Sequence, residues 1–408
     1  MQFKHTQLDN GLTIVAEVNP DSASMAAGFF VKTGSRDETA EISGVSHFLE
    51  HMVFKGTERR SAFDVNLAFD RMGAHYNAFT SEENTVFFGS VLPEFQEPLL
   101  DLLSDILRPS LRQEDFDVEK GVIVDEIALY EDQPKFRVYD KMMSTHFADH
   151  PLGRCILGTP ETIRKLRREQ MQDYFDRRYS AGNITLVAVG NLDFDALVAR
   201  AETDCAAWKS FDVTRQTPPA GASRTNELIT DEKVTREHIG LMSAGPSRQC
   251  PERFAAELLA AIIGDTTGSR MYYGLVEKAI ADEASMSYAP MDGAGGMMTF
   301  ISCQPQRACE ALTIARKVLA DFQADGPNET ELQAAKNKIA SAATLKGELP
   351  MGRLAAVGLD WTYRGEYMPL SEQIEQLLAV TAEQVHQVAR EFDISATTLV
   401  ALGPATQL

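Results

Sequence analysis

Apolar and polar residues fall in blocks whose period changes along the chain, and the changes predict its elements. Residues 12–18 and 25–32 are short apolar runs parted by Asn19-Pro20-Asp21, the pattern of two strands and a turn. Residues 44–54 predict a helix of about three turns, with Ser43 placed as an N-cap and Gly56 as a stop. Residues 61–72 predict a second helix, with Phe63, Leu67 and Phe69 among its apolar positions. Residues 75–79 and 85–91 form a predicted strand pair linked through Ser81-Glu82-Glu83-Asn84. Helices follow at 93–107 and 113–131, the latter ended by Asp132-Gln133-Pro134. A helix at 161–178, a strand at 183–189 and a helix at 194–208 complete this half.

Residues 212–225 then lose all periodicity. They hold Pro218, Pro219 and Gly221 among small polar residues and read as a linker between halves 1–211 and 226–408. The second half repeats the first. Residues 177–190 and 390–403 align at a constant offset of 213, with Arg177/Arg390, Thr185/Thr398, Leu186/Leu399, Val187/Val400, Ala188/Ala401 and Gly190/Gly403 identical. Alternating strands and helices predict an α+β fold of two homologous α/β-sandwich halves.

Composition narrows the classes of function. A chain of 408 residues suits two domains, and it has no apolar run long enough to span a membrane. Its amino terminus lacks the pattern of a secretory or organelle-targeting segment, so a cytoplasmic protein is expected. Cys155, Cys205, Cys250, Cys303 and Cys309 are odd in number and scattered, which fits a reducing compartment and leaves metal binding to other residues. A net charge of −20 excludes nucleic acid as the expected partner.

The chemistry concentrates in His47-Phe48-Leu49-Glu50-His51. Residues four apart on a helix are neighbours, so His47 and His51 can offer two imidazoles to one ion, with Glu50 beside it to take a proton from water. A catalytic zinc site needs a third protein ligand, and the helix at 113–131 offers Glu126. Glu119, one heptad earlier, shares its helix face. His146 and His150 are also four apart, with Asp149 between them, but Pro151 follows at once and structural roles are expected.

These residues and their separation resemble the pitrilysin/insulinase family of zinc peptidases, the inverted zincins. The resemblance implies one zinc per chain held by His47, His51 and Glu126, with Glu50 as general base and Glu119 supporting the site from behind. It also implies a substrate-binding edge strand at 73–80, including Asn77, Ala78 and Thr80, and a clamshell whose chamber admits peptides and unfolded segments. Tyr288 matches a tyrosine that active relatives place near the scissile carbonyl. The accompanying arginine is missing, since Val276 and Ala281 stand where it is sought. At the repeat offset, His47, Glu50 and His51 fall on Ala260, Ile263 and Gly264, so only the first half carries the metal set. The expectation is a zinc-dependent endopeptidase pairing as a homodimer, with a heterodimer open. The alternative, to which the missing arginine points, is a non-catalytic assembly subunit or one subunit of a heterodimeric processing peptidase.

Overall fold

The computed structural model describes residues 1–408. The first half runs β1 (Gln2–Gln7), β2 (Thr13–Val18), β3 (Met25–Val31), α1 (Val45–Val53), α2 (Ala62–Met72), β4 (His75–Thr80), β5 (Thr85–Val91), α3 (Gln96–Ile106), α4 (Gln113–Glu131) and α5 (Pro134–Phe147). It continues with α6 (Pro160–Lys165), α7 (Arg168–Arg178), β6 (Ile184–Gly190) and α8 (Phe194–Cys205). The second half holds β7 (Asn226–Thr230), β8 (Glu237–Ala244), α9 (Arg253–Gly264), β9 (Ala281–Pro290), β10 (Gly295–Cys303), α10 (Ala308–Asp325) and α11 (Glu329–Gly347). It ends with α12 (Pro350–Arg364), α13 (Leu370–Ala379), α14 (Ala382–Glu391) and β11 (Thr398–Gly403).

Two sheets result. One has the order β1-β2-β6-β3-β5-β4 and the other β7-β11-β8-β10-β9. Apart from β1 the orders coincide strand for strand, with a parallel pair (β2–β6, β7–β11) in the same place and antiparallel neighbours elsewhere. The repeat in sequence is thus a repeat of topology. Strands β3 and β11 are buried along their whole length, as strands covered on both faces must be, and apart from Thr398 they read as apolar runs.

The contiguous halves are not the compact units. One unit comprises Met1–Ala128, Arg154–Gln216 and Leu345–Met368; the other comprises Leu129–Gly153, Thr217–Thr344 and Pro369–Leu408. The boundary expected at 212–225 is one of several crossings, because the halves exchange a helix. In the first unit, Leu354 and Val357 of α12 cover Val15, Phe30, Val187 and Val189. In the second, Met142, Met143 and Phe147 of α5 cover Met242, Met298 and Val400. Each covering helix opens with proline at its first turn, Pro134 and Pro350, where the missing N–H leaves nothing unsatisfied. Gly358 is required where α12 lies on the sheet, since a Cβ there would sit 2.2 Å from the Phe30 ring.

One local expectation changes. The helix expected at 161–178 is two helices, broken where buried Leu166 leaves the helical region (ψ 136°) and a new helix starts after Arg167. No helix is long and apolar enough to cross a membrane.

Candidate active site

Helix α1 is fixed from three sides before it presents any chemistry. Val45, Phe48, Leu49, Met52 and Val53 are buried, and Phe48 stacks on Phe116 of α4 with ring centroids 4.7 Å apart. That contact sets α1 against the helix carrying Glu119 and Glu126. At the amino end, the N-cap is Gly44 in left-handed backbone (φ 93°), and no side chain of the cap residue is used. The carboxyl of Glu38 takes that role instead, accepting from Gly44 N–H at 2.7 Å and Ser46 N–H at 2.8 Å. Burial pushes the Glu38 carboxyl up to about 8, against the lowering effect of those two amides.

The rings of His47 and His51 lie edge to face with centroids 4.8 Å apart. Glu126 Oε2 is 3.7 Å from His47 Nε2 and 3.4 Å from His51 Nε2. The donor atoms of the three residues all lie within 4.8 Å of one another. Two observations fit this trio to zinc. Bonds of about 2 Å in a tetrahedron put donors roughly 3.3 Å apart, close to the Glu126 separations. Glu126 Oε2 is also shielded from solvent with no hydrogen-bond partner, an arrangement that a cation compensates.

The surrounding charges are ordered around it. Burial, and next the nearby His51, push His47 down to about 3, so its imidazole is neutral and its lone pair available. Burial also depresses His51, but the hydrogen bond it donates to Glu119 and the charges of Glu126 and Glu50 outweigh it and raise the group. Glu119 Oε1 lies 2.9 Å from His51 Nδ1, which assigns the ring proton to Nδ1 and leaves Nε2 toward Glu126. Burial opposes ionisation of Glu119, yet His51 and Lys55 hold it below the usual carboxylate range. Glu50 is shifted the other way: burial raises it, Thr80 and His51 oppose, and Glu126 adds to the rise. A base poised above an ordinary carboxylate suits proton transfer near neutrality.

Strand β4 ends its sheet, pairing with β5 alone, and so leaves one edge open. It carries Asn77, Ala78 and Thr80. The Asn77 side chain accepts from its neighbour's Ala78 N–H at 2.9 Å, and Thr80 Oγ1 donates to Glu50 Oε2 at 2.6 Å. The β4–β5 turn is pinned by buried Glu83, which takes Arg36 Nη1 at 2.6 Å and the Tyr363 hydroxyl at 2.8 Å. Sequence reasoning missed Glu38, Glu83 and Lys55. Only Lys55 carried a signal, standing one helical turn beyond His51.

The second unit holds the same helix without the chemistry. Ala260, Ile263 and Gly264 occupy the equivalent places on α9, and a Cβ on Gly264 would lie 2.1 Å from Met286 N. Strand and helix are in backbone contact there, which leaves no room for a ligand side chain. Tyr288 belongs to this unit, on β9, with its hydroxyl donating to Pro246 O at 2.9 Å. Val276 closes a π-helical turn and Ala281 is buried at the start of β9. Arg270 is committed to Glu331 at 2.8 Å. His146 and His150 turn to separate partners: His146 Nδ1 meets Thr398 Oγ1 at 3.0 Å and His150 Nε2 meets Pro218 O at 3.1 Å.

Residues 13–160 match the family model for insulinase, peptidase family M16, and residues 165–339 match the model for the M16 inactive domain. A protein of Mycobacterium tuberculosis named an uncharacterized zinc protease is 30% identical, over 98% of this chain and 93% of its own. YmxG of Bacillus subtilis, named likewise, is 30% identical over 99% of this chain and 98% of its own. Two solved structures share the fold with a TM-score of 0.92 each. One is titled a peptidase M16 inactive domain from Pseudomonas fluorescens (18% identity, 100% of this chain and 99% of that one), the other a protease from Helicobacter pylori (20%, 99% and 99%).

Proposed function

Starting from the insulinase family, peptidase family M16, to which this chain belongs, we propose that it is a zinc-dependent endopeptidase acting on extended or unfolded peptides. The observation that carries the reading is the convergence of His47, His51 and Glu126 with Glu50 on the same helix turn. His47, His51 and Glu126 hold the zinc. Bound there, zinc supplies a Lewis acid for the scissile carbonyl and lowers the pKa of water.

The remaining steps belong to the chain. Glu50 removes the proton of the attacking water and delivers it to the leaving amine. Glu119 holds His51 in the tautomer that binds metal. An extended peptide adds to the open edge of β4, with Asn77, Ala78 and Thr80 alongside, so that backbone pairing aligns the bond to be cut. Tyr288 is assigned to the substrate carbonyl on the family resemblance, and two copies of the chain pair as a homodimer.

A second reading keeps its own observation. Val276 and Ala281 stand where an arginine is sought, which favours a chain that needs a different partner to complete the site, or one that serves assembly alone. One experiment separates these: zinc content of the purified chain, and cleavage of a pool of unstructured peptides with and without chelator. Glu50→Gln should keep zinc and lose about a hundredfold or more in turnover, and Glu126→Gln should lose both. Undiminished cleavage by Glu50→Gln would remove the assigned base. Bound zinc with no cuts would favour the incomplete-site reading.

A further inference from the structure

We propose that Lys55 is a positioning residue for the metal centre, acting through Glu119 on His51; the inference rests on the zinc-peptidase reading above. Lys55 stands four residues after His51, just beyond the end of α1. Its backbone is held on both sides, its N–H donating to Met52 O at 3.1 Å and its carbonyl accepting from Arg112 Nη2 at 2.6 Å. From that anchored start the side chain carries Nζ to 2.5 Å from Glu119 Oε2. The other oxygen of the same carboxylate, Oε1, lies 2.9 Å from His51 Nδ1.

The carboxylate of Glu119 is only 3% exposed. A buried carboxylate requires compensation at both oxygens, and here one is met by a hydrogen bond from the imidazole and the other by the charge of the ammonium in an ion pair. For His51 to turn a lone pair on Nε2 toward a metal, its ring proton must sit on Nδ1 and meet an acceptor. Glu119 fulfils that condition only while its oxygens are fixed in direction. Lys55 fixes the second, so the carboxylate cannot swing away from the ring. The ammonium therefore sets the orientation of a metal ligand that it does not touch.

The test is the zinc affinity of the metal-free full chain, measured by competition against a chromophoric chelator, which needs no substrate. Lys55→Met is expected to weaken zinc binding about tenfold, the lower end for loss of an outer partner of a ligand, and Lys55→Arg to restore most of it. Lys55→Gln, which keeps a polar stem, serves if the methionine variant does not fold, and should also weaken binding. In a Glu119→Gln background, Lys55→Met should add no further weakening, because its target is gone. Unchanged zinc affinity in the Lys55 variants would overturn the proposal, as would the same loss in both backgrounds, which would mark a general packing effect. A wild-type chain without zinc affinity would overturn the metal reading itself, and this inference with it.

Discussion

Thr80 Oγ1 donates to Glu50 Oε2 over 2.6 Å, tying the last residue of an open edge strand to the carboxylate assigned as base. With one oxygen held in this way, the other is left for water. The strand that would receive the peptide and the group that would activate water are thereby one mechanical piece.

Thr80→Val should therefore lower kcat with little change in KM or in zinc content. A hydrogen bond to a charged group contributes about 1.5–3 kcal/mol, which corresponds to a loss of roughly tenfold to a hundredfold. Thr80→Ser keeps the hydroxyl and should stay near wild type. A rise in KM with kcat unchanged would place Thr80 on the substrate instead of on the base.

Glu38 bears on α1 from its other end. Glu38→Ala strands the amides of Gly44 and Ser46 without an acceptor in a buried place, at a cost of about 2 kcal/mol. Thermal melting of the zinc-free protein should report that loss, and hydrogen exchange should rise in the first turn of α1. Unchanged protection at Ser46 would remove Glu38 from the capping role.

How far these features can be read from sequence follows the range of the interaction. His47, Glu50 and His51 were legible because they share one helix; a heptad puts Glu119 and Glu126 on one face, but the family resemblance is what singled them out among the acidic residues of α4. Both are local periodicities. Glu38 was not legible: it stands six residues before Gly44 on an irregular segment, and Ser43 offered the expected chemistry at the wrong place. The helix exchange was hidden for a different reason. The apolar face of α5 announces that something covers it, but not that the sheet belongs to the other half of the chain. Pro134 compounded this, since the residue that ends α4 also begins α5.

His146 gives the second unit a pH dependence of known sign. Burial holds its imidazole down to about 4 in the folded chain, against an ordinary value of 6.5. Above 6.5 the group is neutral folded or unfolded and contributes no slope. Below 6.5 the unfolded chain binds a proton that the folded chain refuses until about 4, so stability falls as pH falls across that window. The full effect is on the order of 3 kcal/mol. Denaturation midpoints at pH 7.5 and pH 5 should differ less in His146→Gln than in wild type. Equal differences in the two proteins would mean that His146 does not set the slope.

Arg353 and Glu17 make the strongest case for the helix exchange as a structural necessity. Arg353 Nε reaches both oxygens of Glu17, at 3.0 and 2.9 Å, and the Tyr367 hydroxyl adds a third bond at 2.7 Å. The side chains are 2% and 1% exposed, so this ion pair lies between α12 and β2 with almost no water. Removing one partner leaves a buried charge uncompensated. Arg353→Met should cost about 3–5 kcal/mol, whereas replacing both, as Glu17→Gln with Arg353→Met, should recover part of that loss because no charge is stranded. Urea unfolding of the four proteins closes the cycle. If the double variant is worse than the single by the full cost of Glu17→Gln, the two side chains act independently, and apolar packing of Leu354 and Val357 alone would hold α12 on the sheet.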